Sequence, residues 1–136
     1  MVWGPGEQIF VLDGLDLKTI SRDMSVTNLV SIPNVKESSA HANDGRIIFD
    51  MVVDSSDNVY LADWGQLQVL KVNPKGKITQ FYQSEDDYGP EGLALVGEKI
   101  AVFESTHPRS YSQILPRLLT LDAMGRASMI YEFTSP

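Results

Sequence analysis

Three acidic residues recur at one point of a short pattern, each closing a run of apolar residues. Ile9-Phe10-Val11-Leu12 is followed by Asp13, Val59-Tyr60-Leu61-Ala62 by Asp63, and Ile100-Ala101-Val102-Phe103 by Glu104. A carboxylate just past an apolar run can accept backbone N–H bonds from the next loop and fix it. Recurrence in every copy favours that scaffold role, because catalytic residues are seldom needed three times. The two histidines, His41 in "SSAHANDG" and His107 in "STHPRSYSQ", have no second His at i+3 or i+4, and there is no HExxH. A general base needs a nucleophile or water beside it, and neither histidine has local support for one. No GxSxG elbow and no Gly-rich phosphate loop is present, and "DSSDN" lacks the alternating acids and distal Glu of an EF-hand. Recognition chemistry is better represented. His107, Arg109 and Tyr111 fall together within residues 105–114, and Trp64 follows Asp63. Arg and aromatic residues are enriched at interfaces, although an ordinary variable loop could have the same composition.

The elements that would position these residues read as short strands. "IFVL", "VYLA" and "IAVF" are continuous apolar runs of strand length. "NPKG" and "DAMG" have the Asn or Asp first and Gly last of hairpin turns. "KITQFYQ" and "RASMIYEF" follow them, and "FDMVV" and "EGLAL" precede the apolar runs. Sliding the sequence by 50 residues lays Leu17 on Leu67, Ile20 on Leu70 and Asp23 on Asn73. Ten residues then separate acid from turn in the first two copies, against 18 from Glu104 to Asp122. Leu17, Ile20 and Met24 also fit a helical stripe, but the shared register favours a strand. The unit is four strands, A to D, over roughly 40 to 50 residues, the signature of a β-propeller blade. The expectation is an all-β propeller segment. It has a partial blade at 1–33, a connection at 34–45, and full blades at 46–83 and 90–134. Within an antiparallel blade, A starts and B ends on the same face. Phe49, Asp50, Glu91, Asp13, Asp63 and Glu104 therefore converge on one side. The expected binding face comprises Asp50, Asp63, Trp64, Glu104, His107, Arg109 and Tyr111.

"MVVDSSDNVYLADWGQLQVLKVNPKGKI" resembles an NHL-type blade, and "GPEGLAL" resembles the start of the same unit. The calcium-dependent lactonase propellers of the SMP-30/gluconolactonase type share this grammar. Two departures stand out: Asp57-Asn58 replaces the usual Gly-Asn, and Asp50 replaces a usual Gly. The resemblance implies a metal ligand one residue before the A-strand Gly, which here is Glu91, before Gly92. Carboxylate oxygens suit calcium, but the matching position in the preceding blade is Phe49, which cannot ligate.

Propellers close with about four to eight blades, so the blades read here leave faces and strand edges for association. Three arrangements satisfy that need: a second copy making a six-bladed ring, a different chain, or a longer protein of which this is a piece. A charge of −7 and a pI of about 4.6 argue against nucleic acid. No apolar run approaches the roughly 20 residues of a membrane span. "MVWGPGEQ" has neither the basic nor the apolar region of a signal peptide. The chain has no cysteine, which removes disulfides and thiol chemistry and suits a reducing cytoplasm. The function expected is a binding scaffold that takes a protein or small molecule on its loop face. The alternative is part of a lactonase-like, calcium-dependent hydrolase, and a purely structural segment is a third reading.

Overall fold

The apolar runs that end in Asp13, Asp63 and Glu104 each become the second strand of a sheet. The computed structural model describes residues 1–35, 45–85, 87–106 and 114–133. Among these, twelve strands form three four-stranded antiparallel sheets, each paired in chain order. The first contains β1 (Val2–Trp3), β2 (Ile9–Asp13), β3 (Asp16–Ile20) and β4 (Val26–Ser31). The second contains β5 (Ile48–Val53), β6 (Val59–Asp63), β7 (Gln68–Val72) and β8 (Ile78–Gln83). The third contains β9 (Tyr88–Val96), β10 (Lys99–Thr106), β11 (Pro116–Leu121) and β12 (Ala127–Glu132). The only helical piece among the described residues is a 3-10 turn at Trp64–Gln66. Leu17 and Ile20 lie in a strand, as the repeat requires.

Turn chemistry punctuates the sheets where the sequence placed it. Asn73 Oδ1 accepts the N–H groups of Lys75 and Lys77, and Asp122 Oδ1 accepts those of Met124 and Arg126. Asp54 does the same for Ser56 and Asn58 in the first hairpin of the second sheet. Asp57, at the position where the resemblance expected Gly, adopts a left-handed φ of 61°. A short Asp side chain tolerates that region.

The constant shift of 50 residues does not survive past the acid. Ile9 pairs with Ile20, whereas Val59 pairs with Val72, so Ile20 is the counterpart of Val72 and not of Leu70. The turn of the first sheet accordingly starts at Ser21, eight residues after Asp13. Its Met24 N–H bonds to Ser21, as Gly76 bonds to Asn73 and Gly125 to Asp122. The 3-10 turn lengthens the connection after Asp63, and this accounts for the difference.

The sheets pack face on face, and alternation along each strand decides which face a side chain joins. The forward face of the first sheet (Val2, Phe10, Leu12, Leu17, Leu29) meets the rear face of the second (Met51, Val53, Val59, Leu61, Leu70, Val72). The forward face of the second (Val52, Tyr60, Ala62, Val69, Phe81) meets the rear face of the third (Leu93, Ile100, Val102, Leu119, Leu121). The last strand of every sheet carries a bulge at an apolar residue: Leu29, Phe81 and Ile130. The turn of the next sheet closes on that bulge. A Cβ on Gly76 would lie 2.9 Å from the Leu29 carbonyl oxygen, and one on Gly125 would strike the Phe81 carbonyl oxygen. Both glycines have positive φ, 82° and 76°. This glycine-on-carbonyl contact is repeated at both sheet interfaces.

Candidate functional site

A residue at the start of each third strand lies directly across from the acid that closes the apolar run of the second. Asp13 faces Asp16, Asp63 faces Gln68, and Glu104 faces Arg117. The facing residue is a hydrogen-bond partner for Asp63 and Glu104, but not for Asp13. Glu104 is fully buried and receives the Arg117 Nε–H at 2.6 Å and the Ser84 hydroxyl. The Arg117 guanidinium lies 3.8 Å from the centre of the Tyr88 ring. Burial opposes its charge, but the hydrogen bond and attraction to Glu104 outweigh this and raise its pKa above the ordinary value. Tyr82 is pushed up to about 12, first by burial and then by the charge of Glu104.

Asp63 is also fully buried. Its Oδ2 accepts from Arg46 and, at 3.2 Å, from Gln68. Its Oδ1 has no hydrogen-bond partner among the described residues. Arg46 also donates to the Pro33 carbonyl at 2.7 Å, which ties the connection to the second sheet. Asp13 is exposed and pairs with Lys18 at 2.6 Å. Among the described residues the three acids are thus held by side chains, a cation in each case, and no loop N–H group donates to them. Asp63 and Glu104, expected on the binding face, lie instead beneath it because each is enclosed with its counter-charge.

Asp50 is also turned inward to the scaffold. Its carboxylate accepts the N–H of Met51 and, across the sheet interface, the N–H of Leu93, both at 2.8 Å. The opening strands carry matched bulges. Ile48 pairs with Asp63 and Asp50 with Ala62, leaving Phe49 extra. Pro90 pairs with Glu104 and Gly92 with Phe103, leaving Glu91 extra. Phe49 and Glu91 are therefore equivalent positions, and bulges commonly re-aim side chains at functional faces. Glu91 accepts the hydroxyl of the buried Ser105. Phe49 is 55% exposed and its ring centre lies 5.6 Å from that of Trp64. Trp64 in turn packs on Gly89, where a Cβ would come within 2.6 Å of its ring.

The calcium set implied by the lactonase resemblance does not fit the described residues. One bulge holds a carboxylate and the other a phenyl ring, and no group of three or more acids and histidines converges among the described residues. His41, His107, Arg109 and Tyr111 lie outside the described residues. Arg46, Arg117 and Ser105 were not picked out from the sequence, and Phe49 was placed on the loop side only as a position that cannot ligate a metal. Arg117 alone had a signal, as the cation just before the apolar pair Leu118-Leu119 of the strand opposite Glu104.

No protein-family model matches the chain. No curated protein matches it either. A solved structure of streptogramin B lyase, a β-propeller protein, is similar at a TM-score of 0.59 and 16% identity. The match covers 95% of this chain and 37% of that one, so this chain spans well under half the neighbour's length. At that identity the likeness is one of fold, and with the three stacked sheets it gives this chain a propeller-like fold.

Proposed function

We propose that this chain is a propeller segment that works as a binding scaffold, with Phe49 and Trp64 as contact residues on its loop face. The observation that carries this reading is the division of labour on that face. The carboxylates Asp50, Asp63 and Glu104 are taken up by internal bonds, while the bulge turns an aromatic ring outward beside Trp64. An exposed ring backed by a partly buried indole supplies contact area at low entropy cost. The occupant is a protein segment or small molecule with an apolar group to place against them. The NHL-like grammar of the second sheet supports the same reading, and a cytoplasmic setting is consistent with it.

A displayed-peptide library panned against the folded chain tests this. Binders should compete with one another and lose at least tenfold affinity on Phe49→Ala, an exposed position whose truncation leaves the core intact. Binders indifferent to Phe49→Ala and Trp64→Ala would overturn the assignment. The hydrolase alternative has its own test in thermal melts with millimolar calcium on wild type and Glu91→Gln. The scaffold reading expects no calcium effect. A calcium-dependent rise in midpoint that vanishes in the variant would put the metal-dependent enzyme first.

A further inference from the structure

Two sheet faces have no neighbour among the described residues, and they are not alike. The forward face of the third sheet carries Ala94, Ala101, Phe103, Leu118 and Ile130 at the positions equivalent to Val52, Tyr60, Ala62, Val69 and Phe81. Every one of these is apolar. Phe103 is 42% exposed and Ile130 60% exposed. The last strand keeps its bulge at Ile130, the position whose carbonyl, in the other two sheets, receives the next sheet's glycine.

The rear face of the first sheet departs from its counterparts at two central positions. Lys18 occupies the place of Leu70 and Leu119, both buried in sheet interfaces. Met24 occupies the place of Gly76 and Gly125, with a φ of 66° that matches the glycines and a side chain that does not. Its Cβ falls where the glycines leave room for a neighbour's carbonyl oxygen. A cation and a long side chain thus stand at the two places where the internal interfaces are tightest.

We infer that the forward face of the third sheet docks a further four-stranded sheet with a left-handed glycine in its last hairpin, supplied from outside residues 1–133. The occupant is defined by the two interfaces already present. It is an antiparallel sheet with branched aliphatic residues on one face and a glycine seated on the Ile130 carbonyl. The first sheet of a second copy does not meet that description, because Lys18 and Met24 spoil the fit. This surface is separate from the loop face, so its occupancy and that of the Phe49–Trp64 pair can be read independently.

Sedimentation equilibrium over a wide concentration range tests the inference. Wild type, Lys18→Leu/Met24→Gly, and each of these with Ile130→Arg are compared, with circular dichroism confirming the fold of all four. The substituted positions are exposed or partly exposed, so the variants keep the core. The double variant restores the missing features and should self-associate at least tenfold more tightly than wild type. Ile130→Arg should remove that gain. A wild-type two-copy species that Ile130→Arg dissociates would overturn the inference, since the chain's own first sheet would then be the occupant. A double variant with unchanged association would also overturn it, because leucine and glycine at these places would then not govern docking.

Discussion

Glu104 illustrates how a buried charge is tolerated at the residue scale. It is enclosed with Arg117 and Ser84, and its partner is stacked on Tyr88. Such a pair contributes little net stability over apolar side chains of equal volume, but breaking it strands a charge. Arg117→Met should therefore cost about 3–5 kcal/mol in denaturant unfolding. Adding Glu104→Leu should recover most of that loss. A single-variant loss below about 1 kcal/mol would show that Glu104 is not held as a buried ion in the fold. Asp63 with Arg46 is the parallel case in the second sheet, where the pair also anchors Pro33.

At the scale of elements, the sheets are held by alternating apolar faces and by the closure of each turn on the preceding bulge. Leu61 is fully buried between the first and second sheets. Leu61→Ala should cost about 2–5 kcal/mol through lost burial and a cavity. Val102→Ala, between the second and third sheets, should cost less because fewer carbons are removed. Gly125→Ala tests the turn contact separately. An L-residue at its φ of 76° is strained, which costs roughly 1–2 kcal/mol. The Phe81 carbonyl would have to move as well. Urea melts that find Gly125→Ala neutral would remove the turn-on-bulge contact from the account of sheet packing.

At the scale of the whole molecule, the stacking of sheets sets an alkaline limit to stability. Tyr60 and Tyr82 are both pushed up to about 12, by burial first and then by Asp54 and Glu104 respectively. An unfolded tyrosine titrates near pH 10. The folded state therefore prefers both phenols protonated. This contribution is complete below about pH 10 and is lost as the pH rises from about 10 to 12. Thermal midpoints should hold up to about pH 10 and then fall, and Tyr82→Phe should flatten the fall. Ultraviolet titration should show Tyr60 and Tyr82 ionising late. Ionisation of all described tyrosines near pH 10 would contradict the packing of the second sheet against the third.

Much of this architecture is written locally. The apolar runs, the acids that close them, and the Asn73 and Asp122 turns depend on short-range alternation and turn hydrogen bonds, so the residues themselves determine the four-stranded repeat. The equivalence of Phe49 with Glu91 was also legible, since each directly precedes the position, Asp50 or Gly92, where the resemblance expects a glycine. Other features were decided by pairing across the fold. The register of β3 slips by two from the simple repeat because the 3-10 turn after Asp63 has no counterpart after Asp13. The cations for Asp63 and Glu104 come from 17 and 13 residues away, and neither distance follows from local propensity. Which acids reach solvent and which are enclosed was likewise settled by tertiary structure. A strand end looks the same in sequence whether its carboxylate reaches solvent, as Asp13 does, or meets a guanidinium in the interior, as Glu104 does.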